Sequence, residues 1–509
     1  QRQMCIRDSI ERIGNKIPDI TILFISAFLL VCVVSAVLAQ IHFNYVHPAT
    51  GRPIEITNML SGKALVDLMS KMVTNYANFP PLSMVIVATL GIGIADGSGY
   101  INTGLKKILS ITPKVLITPV VILVGMLSHL GPDSGYVIII PIAAYMFYAV
   151  GKHPLAGIAA SFAGIAGAFA ANYTPSAIDP VIQGFTQSAA QIIDPGYQVN
   201  VLCNYFYAFA STFIVIGACW WVTEKITNPW LWKACPLDDD LDLGNENNSS
   251  ITPSENRAFK IATAVLLLML TGLAAALYPA DSILRAPDGV IASFKAPIMQ
   301  SIVSLIFILA ALVGLVYGIA CGKFKSPKDV TAAMEEITKT LVQLIVFYFF
   351  AAQFLYAFGA SNMGALIAVS GAEFLKSLNL PPQVTVFGII VFVALLNLII
   401  TSASAKWAIL APIFVPMLMA VGIAPELTQV AFRVSDSAVN VVTPMFAFYP
   451  LIILYCQKYV KNAGIGTLSS MMLPYTIALL VSLTFMLYLF WWLDIPLGFQ
   501  ADYVYPRRF

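Results

Sequence analysis

Residues 20–39, "ITILFISAFLLVCVVSAVLA", run for 20 positions without a charged side chain. About 20 apolar residues in a helix cross the hydrocarbon core of a bilayer, where every backbone N–H and C=O must find its partner within the protein. The first such run spans about 18–40. Others follow at about 78–97, 154–190, 201–223, 258–279, 297–320, 341–368, 424–457 and 471–493. Nine runs of this kind predict an all-α polytopic membrane protein. The composition agrees: 59% of residues are hydrophobic and 11% charged, against about 25% charged in a soluble domain. A net charge of +2 offers no basic surface to nucleic acid. Seven cysteines without a CxxC pair, and four dispersed histidines, argue against a disulfide framework or a zinc site. No small-residue cleavage site follows the first run, so no cleaved secretory signal is expected.

Two further runs, at about 115–150 and 383–421, are too long for one crossing and are interrupted at "SHLGPDSG" and "ITSASAK". A polar break at membrane depth is tolerated only where it is buried in protein or lines a cavity. Both runs are therefore predicted to be re-entrant hairpins. Each precedes a span broken by a Thr-Pro pair. Pro141 of "YVIIIP" lies 33 residues before Thr174 of "AANYTPSAIDP", and Pro412 of "WAILAP" lies 31 before Thr443 of "SAVNVVTPMF". Asn172 and Asn440 stand just ahead of the two breaks, where proline frees backbone carbonyls. Five crossings separate the hairpins, and an odd number inverts the second unit, which predicts the inverted repeat of a secondary transporter with its site between the halves.

Lysine and arginine placement orients the chain. With the N-terminus inside, "GLKKILSITPK", Lys152, Lys225, Lys233, "GKFKSPK" and "CQKYVK" are cytoplasmic, while the final "ADYVYPRRF" is discordant. The expected divisions are a cytoplasmic N-terminus (1–17), a first half (18–225), a cytoplasmic linker (226–257), a second half (258–497) and a periplasmic tail (498–509). "KSPKDVTAAMEEITK" is expected to form an amphipathic interfacial helix.

"TSASAKWAILAPIFVPMLMAVGIAPE", "GKHPLAGIAASFAGIAGAFAANY", "LGIGIADGSG" and "GTLSSMMLPY" resemble the p-aminobenzoyl-glutamate transporter (AbgT) family, over about Gly14 to Pro496. The resemblance implies a homodimer in the bacterial inner membrane, each subunit with nine helices, two hairpins and its own pathway. It implies an ion-coupled importer of p-aminobenzoyl-glutamate or similar aromatic carboxylates, or alternatively a proton-driven exporter of sulfonamide-type antimetabolites. Its functional residues fall on Asp179, Asn397, Ser404, Trp407, Pro425, Arg433 and Asp436. The family's Ser-Asn-Thr at the first hairpin tip is replaced here by residues 128–134, "SHLGPDS", which puts sodium binding there in doubt, although Asp133 offers a hard oxygen.

Arg433 and Asp436 are one helical turn apart in an apolar stretch, where a charge costs roughly 2.5–3.5 kcal/mol on insertion scales. Two readings stand: a self-neutralising ion pair, or a cation for a substrate carboxylate beside an acid that positions it or takes a proton. Asp179, ahead of Pro180, is a helix cap, a coupling acid, or both. Trp407 is either packing or a surface for the aminobenzoyl ring. Ser402 and Ser404 begin a helix whose N-terminus favours an anion, and Lys406 is unusual at this depth. Oxygens at the two breaks, on Asn172, Thr174, Asn440 and Thr443, are candidates for sodium; a proton is the other coupling ion. No HExxH, GxSxG or His-acid cluster predicts an enzyme, and two tips across the path argue against a passive channel. No cofactor is expected.

Overall fold

The structure is a computed structural model that describes residues 20–47, 51–130, 134–176, 178–237, 251–291, 293, 295–398, 400–444 and 446–506. Asp133 and most of the acidic linker "LDDDLDLGNENNSS" lie outside these residues. Helices account for every regular element described, and the only β pairing among the described residues is two isolated bridges. Among the described residues, seven helices are long and apolar enough to cross a membrane, including Ile302–Ala320, Val342–Ala360 and Ile465–Trp492.

Both hairpins form as expected. The first has arms Ile117–Leu127 and Ser134–Ala149, and the second Pro382–Asn397 and Ala403–Met419. Each is preceded by a helix not anticipated as a separate element. Tyr100–Ser110 meets the first hairpin at 119°, and Met363–Ser377 meets the second at 117°. The expected single span 341–368 therefore divides, at Asn362, whose φ of 62° is left-handed and breaks the helix. Gly62–Ala77 is a further, amphipathic helix outside the runs expected from sequence, capped by the Ser61 hydroxyl accepting from Ala64 N.

The two Thr-Pro spans are broken as predicted. The first runs as Pro154–Phe162, a π-turn over Ala163–Gly167, an irregular stretch, and then Ile178–Ala190. The second runs as Pro425–Val439, an irregular stretch, and Tyr449–Gln457. Small residues allow close helix contacts. A Cβ on Gly164 would lie 2.5 Å from the Ile122 carbonyl oxygen, so the first hairpin and the first broken helix touch through backbone. Pro80–Ser98 crosses Ile302–Ala320 in the same way at Gly314, where a Cβ would meet Ala95 N at 2.5 Å.

Pro327–Lys339 is a helix, but it does more than lie at an interface. Ala333 and Ile337 press onto Gly97 and Gly93 of Pro80–Ser98, while Glu336 and Lys339 stay exposed. The C-terminal tail is anchored: Ala424 N donates to Tyr503 O (3.1 Å) and Tyr505 N to Gly422 O (2.9 Å), fixing the entry to Pro425–Val439.

Candidate functional site

A cavity of about 470 Å³ lies where the four special elements meet. Ser128, His129 and Tyr136 come from the first hairpin, Thr401 to Ser404 from the second, Phe169, Ser176 and Ile178 from the first broken helix, and Asn440, Phe446 and Phe448 from the second. Its volume is within the range of small-molecule sites. The wall is mainly apolar, with an aromatic cluster on one side. Tyr136 and Phe448 stack with centroids 4.2 Å apart and planes at 5°, and Phe446 packs beside both.

Behind this chamber lie two buried ion pairs, and neither is the Arg433–Asp436 pair considered from the sequence. Arg433 Nη1 donates to Asp179 Oδ1 at 2.7 Å. Asp436 Oδ1 meets Lys406 Nζ at 2.6 Å, both side chains wholly buried. Residues 433 and 436 are a turn apart, yet on the fully enclosed helix each finds a different neighbour. Asp179 faces Arg433 from the other broken helix, and Lys406 faces Asp436 from the second hairpin.

Asp179 performs two tasks at once. Its Oδ2 accepts from Ser176 N (2.7 Å) and Ser176 Oγ (3.1 Å), closing the first turn of Ile178–Ala190, while Oδ1 holds the guanidinium. Arg433 Nη2 reaches the Phe169 carbonyl at 3.4 Å, and Arg433 Nε has no hydrogen-bond partner among the described residues. Phe169 and Ser176, both chamber-lining, thus touch the Arg433–Asp179 pair, so the pair sits one side chain behind the chamber wall.

Asn397 ties the second hairpin to the second broken helix. Its Nδ2 donates to Asp436 O (2.8 Å) and Asn440 Oδ1 (3.0 Å), and its Oδ1 accepts from Lys406 Nζ. The side chain thus serves the neighbouring helix. Ser402 caps its helix, accepting from Ala405 N at 3.4 Å, and Ser404 lines the chamber. Pro425 opens the Pro425–Val439 helix and is buried away from the chamber.

Of the two readings of Trp407, packing and a surface for the aminobenzoyl ring, its surroundings match packing. It is fully buried, stacked on Phe432 with centroids 4.4 Å apart, and its Nε1–H donates to Thr186 Oγ1 at 2.9 Å. Thr186 Oγ1 in turn donates to Gln429 Oε1 (2.6 Å) and Gln429 Nε2 to Asn204 Oδ1 (2.6 Å). Tryptophan occupies this position because one large ring fills the core and its single donor is satisfied. The aromatic wall was missed from sequence. Its signal was the rings that follow each break: Tyr136 after the first tip, Phe446 and Phe448 after Thr443-Pro444.

The four candidate sodium oxygens do not converge. Asn172 and Thr174 line a cavity of about 10 Å³ with Asp179, Asn204 and Arg433. Asn440 lies against Asn397, and the Thr443 hydroxyl donates to Leu398 O at 3.1 Å. A guanidinium beside the first pair and an ammonium near the second oppose a further cation at either place.

A model of the AbgT putative transporter family matches residues 6–505. The p-aminobenzoyl-glutamate transport protein of Escherichia coli (strain K12) is 32% identical over 500 residues, covering 98% of this chain and 96% of that protein. The structure of the YdaH transporter of Alcanivorax borkumensis, described as having an unusual topology, superposes with a TM-score of 0.89 at 37% identity, covering 94% of this chain and 100% of that one. That of Neisseria gonorrhoeae MtrF, described as illuminating a class of antimetabolite efflux pumps, gives 0.90 at 39% identity, covering 97% and 99%. With hairpins, broken helices and family match coinciding over nearly its whole length, the chain belongs to the AbgT putative transporter family.

Proposed function

We propose that this protein is an ion-coupled secondary transporter carrying p-aminobenzoyl-glutamate or a similar aromatic carboxylate across the bacterial inner membrane. The observation that carries the reading is the chamber built jointly from both hairpin tips and both broken helices. A movement of one half against the other necessarily remakes such a chamber, which is what alternating access needs. Its stacked rings suit an aminobenzoyl group, and Ser402, Ser404 and His129 offer polar contacts. No chemistry on the substrate is required, and the protein acts as a carrier and not as an enzyme.

In this reading Asp179 occupies the guanidinium of Arg433 when substrate is absent. A substrate carboxylate displaces it, with Phe169 yielding, and the released Asp179 takes a proton. Carboxylate and proton binding are then linked through one guanidinium, and the linkage is reciprocal. A proton fits this exchange better than sodium, whose candidate oxygens share their surroundings with cations. The two halves form an inverted repeat with the N-terminus cytoplasmic, and two copies assemble as a homodimer with separate pathways.

Similarity to MtrF favours a second reading, proton-driven export of sulfonamide-type antimetabolites. A neutral aniline ring fits the same aromatic wall but makes no call on Arg433. Counterflow of labelled p-aminobenzoyl-glutamate into proteoliposomes tests the first reading. Saturable exchange supports a carrier for this substrate. Unsaturable leak points to a channel, and exchange only of sulfonamide supports the second reading.

A further inference from the structure

The second half contains a cation of its own. Lys406 lies one turn into the second arm of the second hairpin, and its ammonium is wholly buried between that hairpin and the Pro425–Val439 helix. Its oxygen partners are Asp436 Oδ1 at 2.6 Å and Asn397 Oδ1, with Asn440 Oδ1 on the other face of Asn397. A carboxylate oxygen from a helix about to break and an amide oxygen from the hairpin are hard oxygens of the kind that hold a metal cation. Here a side chain supplies the charge.

We infer that the Lys406 ammonium is a tethered cation that fills, in the second half, the place a coupling metal ion would take. The inference rests on the carrier reading above and extends it to the choice of ion. Asp436 is paired with a charge that cannot leave, so the contact between the second hairpin and the second broken helix persists without sodium. Phe432 contributes to the seat, with the Lys406 nitrogen 5.8 Å from its ring centroid. Among the described residues the first hairpin offers no tethered equivalent, and the cation facing Asp179 is Arg433 from the other half. Exchange of partners is thereby concentrated on Asp179, and Asp436 acts as a fixed strut.

The test replaces the tethered cation by a free one. Lys406→Ser removes the ammonium and leaves a hydroxyl beside Asp436 and Asn397. Thermal unfolding and equilibrium binding of p-aminobenzoyl-glutamate are measured on purified protein, with choline chloride exchanged for sodium or lithium chloride at constant ionic strength. The natural protein should be indifferent to the exchange. Lys406→Ser should be destabilised in choline and regain unfolding temperature in sodium, and the gain should vanish when Asp436→Asn is added. If Lys406→Ser is too unstable to purify in choline, purification in sodium followed by removal of sodium gives the same comparison. Sodium dependence already present in the natural protein would overturn the inference. So would a Lys406→Ser variant whose stability and binding ignore the cation. Both readouts need no transport, so loss of the inference is distinguishable from loss of the carrier reading, which counterflow alone decides.

Discussion

Arg433→Ala separates the roles of the two ion pairs. The guanidinium is bound by Asp179 Oδ1 at 2.7 Å and contributes nothing to Asp436, which Lys406 already neutralises. Removing one partner of a buried pair costs about 3–5 kcal/mol when the other charge is stranded. Asp179 keeps its two contacts from Ser176 and its side chain is 11% exposed, so the lower end applies here. A charge-assisted hydrogen bond to substrate is worth about 1.5–3 kcal/mol, which corresponds to roughly a tenfold to hundredfold loss of affinity. Adding Asp179→Asn to Arg433→Ala should restore most of the stability and none of the affinity. Adding Asp436→Ala should make matters worse, because it strands Lys406. Arg433→Lys should recover little, since a point charge does not reproduce the planar fork. The assay is thermal unfolding together with equilibrium binding of p-aminobenzoyl-glutamate to purified protein. Near-native affinity in Arg433→Ala would refute the carboxylate exchange. Rescue of stability by Asp436→Ala would refute the assignment of partners.

Other outcomes follow from the same geometry. Tyr136→Ala and Phe448→Ala should each weaken binding of the aromatic substrate, whereas Trp407→Phe should keep the stack on Phe432, lose the bond to Thr186, and cost about 1 kcal/mol of stability with affinity little changed; binding that follows Trp407 instead would move the substrate to that ring. Gly164→Ala drives a methyl into the Ile122 carbonyl and should cost about 1–3 kcal/mol, read as a lower unfolding temperature; an unchanged midpoint contradicts the backbone contact. In a cysteine-free background, Lys114→Cys and Gln383→Cys should label from opposite sides of the membrane, and labelling of both from one side would end the inverted repeat.

Much of the architecture was legible because the bilayer imposes its own punctuation. "SHLGPDSG" and "ITSASAK" could only be hairpin tips, and the Thr-Pro pairs at 174–175 and 443–444 could only be breaks. The partners of the buried charges were not legible. Arg433 meets Asp179 across 254 residues of sequence, and helical spacing advertises the nearer Asp436 instead. Local periodicity says which face a side chain is on, but not which distant helix packs there. Sequence left Trp407 open between packing and a substrate surface for a related reason: proximity to a tip allows either, and only the distant partners Phe432 and Thr186 show what that ring packs on. Gly62–Ala77 was passed over because its amphipathic pattern lacks the continuous apolar run that marks a span.

The most direct test of the account is concentrative uptake of labelled p-aminobenzoyl-glutamate in proteoliposomes, with pH and sodium gradients imposed independently, for the natural protein and for Asp179→Asn. The account predicts uptake that follows the pH gradient and ignores sodium, and an Asp179→Asn variant that exchanges substrate but no longer concentrates it. Uptake driven by sodium alone, or concentrative uptake that survives Asp179→Asn, would contradict it.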